Sequence, residues 1–218
     1  MIEIEKSPTS IISESFRTLK TNIQYSSLDK KYKVIVVTSA NPGEGKTFTS
    51  SNLALTLAQG NKKVILIDCD FRKPNIHRRF KISNSIGLSE ILVSEENHSL
   101  SIKTYNDNLD IITSGHMPPN PVEALACDKM SNYIEELKEE YDYIILDSPP
   151  VLFVSDSQVL AAKADGTILV VKNNKTKKNE IKEAYLRLKS VNANIIGTVL
   201  NGIKPESKYS YKYGKSKI

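Results

Sequence analysis

The chain has 218 residues, 30 Lys and Arg against 25 Asp and Glu, and two cysteines, a length suited to one α/β domain with a sizeable core. Its longest apolar runs are four or five residues, far short of a membrane span, and the opening Met1-Ile2-Glu3-Ile4-Glu5-Lys6 lacks the charged-then-apolar order of a secretion signal, so a cytosolic location is expected. Cys69 and Cys127 have no metal-ligand spacing, which argues against a disulfide or zinc scaffold. Residues 204–218 hold five lysines and one glutamate, a net +4 of the chain's +5; the body is near neutral and the basic character belongs to the tail.

In chain order, Ile12, Phe16, Leu19 and Ile23 recur at helical spacing while Glu14, Arg17 and Lys20 fall three apart on the other side, predicting an amphipathic helix over about 10–25. An apolar strand near 34–38 then runs into Ser39-Ala40-Asn41-Pro42-Gly43-Glu44-Gly45-Lys46-Thr47, and a helical stretch follows over 46–59, with Phe48 in its first turn. This is the context of a phosphate-binding loop. Gly43 and Gly45 permit close approach of phosphate to backbone N–H groups, and the helix aims its positive end at the same place. Lys46 would hold the terminal phosphates, and Thr47 would offer its hydroxyl to magnesium, an ion that keeps most of its waters. Ala40 stands where the general pattern has its first glycine.

Two further strands end in acid. Residues 64–67 run into Asp68-Cys69-Asp70-Phe71-Arg72, and residues 143–147 end at Asp147-Ser148-Pro149-Pro150; nucleotide chemistry needs such carboxylates to hold metal and orient the attacking group. Alone, each would read as a turn or helix cap. More strands near 109–112, 167–172 and 195–200 alternate with helices near 121–139, 155–164 and 178–190, and a short helix is expected near Leu88–Val93. Asn120-Pro121-Val122-Glu123 reads as a capped start with proline at the first helical position. Strands apolar throughout, alternating with helices, argue a parallel sheet covered on both faces. Apolar residues almost vanish after Lys204-Pro205, giving a domain over 1–203 and a flexible tail over 204–218 in which Tyr209, Tyr211 and Tyr213 alternate.

These residues resemble the bacterial tyrosine kinases of capsule and exopolysaccharide systems, of the separate cytoplasmic type. The resemblance covers nearly the whole length. It rests on Pro42–Thr47, on Asp68–Pro74 continuing to His77 and Phe80, on Asp147–Pro150, on Gly87-Leu88-Ser89, on Ser114-Gly115 with Pro118-Pro119-Asn120-Pro121, and on the tyrosine tail. It implies ATP-dependent phosphorylation of Tyr209, Tyr211 and Tyr213, and of sugar-pathway proteins. ATP would be bound by residues 42–48 and by Asn201 at the base, with Mg2+ at Thr47, Asp70 and Asp147 and catalysis by Lys46, Asp68, Asp70 and Asp147. The family's Glu-x-x-Arg-x-x-Arg signature for ring assembly maps to Glu14, Arg17 and Lys20, the last a lysine that cannot make arginine's two-pronged contacts. Implied partners are further copies of the chain, a transmembrane adaptor of the polysaccharide co-polymerase type that recruits the kinase to the inner face of the plasma membrane, and a phosphotyrosine phosphatase.

The main rival is a ParA- or MinD-type positioning ATPase. Such proteins share the fold and acids but usually carry lysine at the position of Asn41 and lack a tyrosine tail. Specific nucleic-acid binding is not expected, since the basic tail supports at most a weak, salt-sensitive contact. An iron–sulfur reductase would need cysteines at matching positions.

Overall fold

The computed structural model describes residues 2–26, 32–93 and 101–203. Among them runs a seven-stranded sheet in the order β3-β4-β2-β5-β1-β6-β7. The three central strands are β1 (Val34–Ser39), β2 (Val64–Asp68) and β5 (Tyr143–Asp147), with β4 (Leu109–Ile112) and β6 (Gly166–Lys172) outside them. All pair in parallel, and so does the edge strand β7 (Ile195–Asn201); β3 (Ile102–Asn106) is antiparallel to β4. The apolar runs of β1, β2 and β5 are buried on both faces, as a parallel sheet sandwiched by helices requires.

Successive side chains point to opposite faces. Ile35, Val37, Val64 and Leu66 join Phe16 and Ile23 of α2 (Ile11–Ser26), Leu53 and Leu57 of α3 (Lys46–Ala58), and Ile76 and Phe80 of α4 (Ile76–Phe80) in one core. Val34, Val36, Ile65 and Ile67 meet α5 (Leu88–Val93), α7 (Asp128–Glu140) and α8 (Asp156–Lys163) on the other face. Near β6, α9 (Lys178–Lys189) closes a smaller cluster through Ala184 and Leu188.

The expected strands are all present, and β3 is additional; its Lys103, Thr104 and Asn106 give no apolar run, because an edge strand is half solvated. The helix expected over 121–139 is two, α6 (Pro121–Ala126) and α7, broken where Cys127 turns extended (φ −62°, ψ 157°). Pro121 stands in the first turn as expected, but the Asn120 amide donates to the Glu123 carboxylate (2.8 Å) rather than capping backbone. On α2, Phe16 and Ile23 are buried, whereas Ile12 is 40% exposed and Ser13 is buried in its place, its hydroxyl donating to the Ser7 carbonyl (2.6 Å). A short helix α1 (Glu3–Lys6) precedes it, held to α3 by the Ile4 N–H donating to Asn52 Oδ1 (3.3 Å). No described helix is long and apolar enough to cross a membrane. The tail, with Tyr209, Tyr211 and Tyr213, lies outside the described residues.

Candidate active site

Register brings the acidic strand ends together: Val37 of β1 sits beside Asp147 of β5, which sits beside Asp68 of β2. The loop from β1 to α3 therefore hangs over the same carboxyl edge, where parallel α/β sheets bind ligands. Gly45 has φ +101°, and a Cβ there would run into Asn201 Nδ2; only glycine fits. Glu44, 1% exposed, staples the loop from inside, accepting from the Asn41 N–H (3.0 Å), Asn41 Nδ2 (3.1 Å) and the Thr176 hydroxyl (2.6 Å). Asn201 Nδ2 donates to the Glu44 carbonyl (2.9 Å), tying the end of β7 to the loop.

Lys46 Nζ lies 3.0 Å from Asp70 Oδ2. Burial works against its charge, but Asp147, Asp70 and Asp68 outweigh that and raise its pKa. Asp147, fully buried at the end of β5, accepts from the Ser50 hydroxyl on Oδ1 (3.1 Å), while its Oδ2 is buried without a partner. Burial pushes Asp147 up, against the attraction of Lys46 and the Thr47 and Ser50 hydroxyls. Asp68 is fully buried too. Its Oδ2 accepts the Asn75 and Ile76 N–H groups at 3.0 Å each and its Oδ1 the Asp70 N–H (3.2 Å), so it braces the turn between β2 and α4. Burial, and then the neighbouring Asp147, raise its pKa despite these donors. Cys69 between them is buried, its thiol pushed up by burial first and then by the three carboxylates.

The cleft in front has a volume of about 410 Å³. The phosphate loop forms one side, Pro149, Pro150 and Phe153 an apolar side, and Arg72, Lys73 and Arg79 a basic side. Arg72 Nε is anchored 3.3 Å from the fully buried Asp156. The Arg79 guanidinium stacks 5.2 Å from the Phe48 ring centre, its Nε buried and unpartnered. An apolar groove of about 460 Å³ lies beyond Phe48, lined also by Asn201, Leu200 and Ile203 of the sheet edge and Ile11 and Ile12 of α2.

Lys46, Thr47, Asp68, Asp70, Asp147 and Asn201 thus converge, as their sequence positions predict. Glu14, Arg17 and Lys20 lie apart on α2, where Arg17 pairs with Glu14 (2.8 Å) and donates to the Pro8 carbonyl (2.6 Å). Sequence reasoning passed over Thr176 and Asp156, whose contacts span 132 and 84 positions, and Arg79, which reads as a solvated helix residue. Gly87-Leu88-Ser89 and Ser114-Gly115 explain each other: Leu88 N–H and Ser89 N–H donate to the Thr113 and Ser114 carbonyls (2.8 and 3.0 Å), and a Cβ on Gly87 would collide with that backbone.

Among the described residues no three His, Cys, Asp or Glu side chains cluster as a full protein cage for a metal. Magnesium does not need one, since it binds through few carboxylates and keeps its waters. The orphaned Asp147 Oδ2 beside Thr47 and Asp70 fits such an ion.

The loop, the acidic strand ends and the sheet define a P-loop ATP-binding domain, and residues 32–199 match the AAA domain family. The chain is 40% identical over 207 residues to the tyrosine-protein kinase YwqD of Bacillus subtilis (strain 168), spanning 94% of this chain and 87% of that one. It is 38% identical over 215 residues to the putative tyrosine-protein kinase CapB of Staphylococcus aureus, spanning 97% and 94%. The crystal structure of the chimerical protein CapA2B2 superposes with a TM-score of 0.90 at 34% identity, over 94% of this chain and 90% of the other. The chain belongs to the bacterial tyrosine kinases of capsule systems, and its activity is ATP-dependent phosphorylation of protein tyrosine. The cell division ATPase MinD of Pyrococcus furiosus, at 24% identity and a TM-score of 0.65, shares the fold alone and does not favour the positioning-ATPase alternative.

Proposed function

We propose that this kinase transfers the terminal phosphoryl group of ATP to Tyr209, Tyr211 and Tyr213 of a neighbouring copy. The observation that carries the reading is the buried, unpartnered Asp147 Oδ2 beside the Lys46–Asp70 pair, a charge arrangement suited to a phosphate–magnesium pair. The backbone of Pro42 to Thr47 and Lys46 hold the phosphates, with Lys46 exchanging Asp70 for phosphate when ATP enters. Thr47, Asp70 and Asp147 would hold Mg2+, which when bound neutralises charge on the transferred group. Asn201 and Phe48, which line the groove, would hold the adenine.

In the transfer, the tyrosine oxygen forms a bond to the γ-phosphorus and the bond from that phosphorus to the β–γ bridging oxygen breaks. ADP leaves with the electron pair. The phenolic proton passes to a carboxylate, for which we assign Asp68; tyrosine's pKa of about 10 means that the acceptor works only when positioned as the new bond forms. Because Asp68 is sealed by three N–H donors, this role requires the turn after β2 to open on substrate binding. Full tail phosphorylation in Asp68→Asn alongside its loss in Asp70→Asn would remove Asp68 from the mechanism.

Tyr209 lies eight residues past Asn201, a reach of at most about 26 Å at about 3.3 Å per residue, which permits transfer within or between chains. Assembly through Glu14, Arg17 and Lys20 favours the neighbour. The setting is the cytoplasmic face of the membrane, with a separate transmembrane adaptor as activator; the adaptor reading is supported by the chimeric nature of the CapA2B2 protein. Peptide mass spectrometry after incubation with magnesium and ATP tests the assignment. Phosphate at the three tail tyrosines, absent from Lys46→Met, is the predicted result; unmodified tails with ATP still hydrolysed would refute it.

A further inference from the structure

The nucleotide does not account for the basic side of the cleft. Its phosphates have the loop backbone and Lys46, yet Arg72, Lys73 and Arg79 line the same space from the segment after β2. Arg72 is fixed through Nε to the buried Asp156 and lines the cleft. Arg79 makes no ion pair among the described residues, and stacking on Phe48 holds it in place. The same cleft is lined by Phe153, 64% exposed, a platform for an aromatic ring. An unsubstituted tail segment, Lys208-Tyr209-Ser210-Tyr211-Lys212-Tyr213, brings lysines to this basic side. A segment that already carries a phosphotyrosine brings about −1.5 to −2 charges instead. In an extended chain, residues two apart face the same way, about 6.6 Å from one another, so an extended tail would present an acceptor tyrosine and its phosphorylated neighbour on one side.

We propose that Arg72, Lys73 and Arg79 form a phosphate-binding subsite for a phosphotyrosine two residues from the acceptor, so that the first phosphorylation of the cluster primes the next. This rests on the tail being the substrate. The subsite's shared chemistry is a phosphate dianion, borne either by tyrosine or by the nucleotide, and the test separates the two.

Peptides spanning residues 206–216 are titrated into the full chain by fluorescence anisotropy with magnesium and a non-hydrolysable ATP analogue. One has Tyr211 as acceptor with phosphotyrosine at 213 and phenylalanine at 209, one has the phosphotyrosine at 209 and phenylalanine at 213, and the control has phenylalanine at both. At least one phosphopeptide is expected to bind about tenfold tighter than the control, as charge-assisted hydrogen bonds allow. That gain is expected to disappear in Arg79→Gln and to be retained only in part in Arg79→Lys, which keeps the charge but not the two-pronged, ring-stacked contact, with affinity for the ATP analogue changed less than about twofold. Equal binding of all three peptides would overturn the subsite. So would an Arg79→Gln variant that loses the ATP analogue instead, since Arg79 would then serve the nucleotide. Because binding is read without turnover, these outcomes stand apart from failure of tail phosphorylation itself.

Discussion

Lys46 and Asp147 show why this cleft is arranged around charge. An ammonium with little access to water is stable only among carboxylates, and here three raise its pKa against burial. Asp68 and Asp147 bear the opposite strain, their pKa values raised by burial first. A carboxyl raised on folding contributes stability in full below its unfolded value of about 4, and that contribution is lost as pH rises through the folded value. In denaturant titrations of the nucleotide-free protein, this pair, with Asp147 pushed up to about 6 and Asp68 to about 8, is therefore expected to lower stability from about pH 4 to about pH 8, and Asp68→Asn to flatten that loss. An identical pH profile in the variant would contradict the assignment. Gly45→Ala places a side chain at φ +101° against Asn201; a stability loss of about 1–3 kcal/mol together with weakened nucleotide binding is expected, measurable by thermal shift with and without ATP.

Among the elements, α3 joins α2 to the site. Phe48 in its first turn touches Phe16 of α2, ring centres 5.8 Å apart, and carries Arg79 on its other contact. Phe16→Ala opens a cavity in this core and is expected to cost about 3–5 kcal/mol in chemical denaturation; a loss below about 1 kcal/mol would mean that α2 packs little on α3. The central strands were legible because a strand buried on both faces must be apolar throughout, as Val64–Ile67 is. β3 was not, because Lys103 and Thr104 on an edge strand follow solvent rather than core. In the site, Lys46, Asp70 and Asp147 were legible because each sits directly after an apolar strand or loop signal. Asp156 was hidden: Ser155-Asp156 reads locally as a helix start, and the buried pairing with Arg72 exists only once β2 and α8 meet. Thr176 was hidden likewise, since its hydroxyl reaches Glu44 only once β1 and β6 pair and bring the loops after them together.

At the scale of the whole molecule, the edge of the sheet sets the tail's starting point beside the cleft, because β7 ends at Asn201 on the loop. Three phosphates add about −4.5 to −6 charges to a tail of net +4, reversing its sign. Full phosphorylation is therefore expected to loosen the proposed assembly of copies, and light scattering would show a smaller particle for the phosphorylated form; equal sizes would contradict this.

Transfer between copies can be tested by mixing two inactive halves of the reaction. A Lys46→Met chain keeps its tail tyrosines as acceptor, and an otherwise intact chain with Tyr209, Tyr211 and Tyr213 changed to Phe supplies the active cleft. With magnesium and ATP, phosphate is predicted on the tail of the Lys46→Met chain, although neither protein is modified alone. A Lys46→Met tail that stays unmodified in the mixture, while the unaltered protein phosphorylates itself, would contradict transfer to a neighbour.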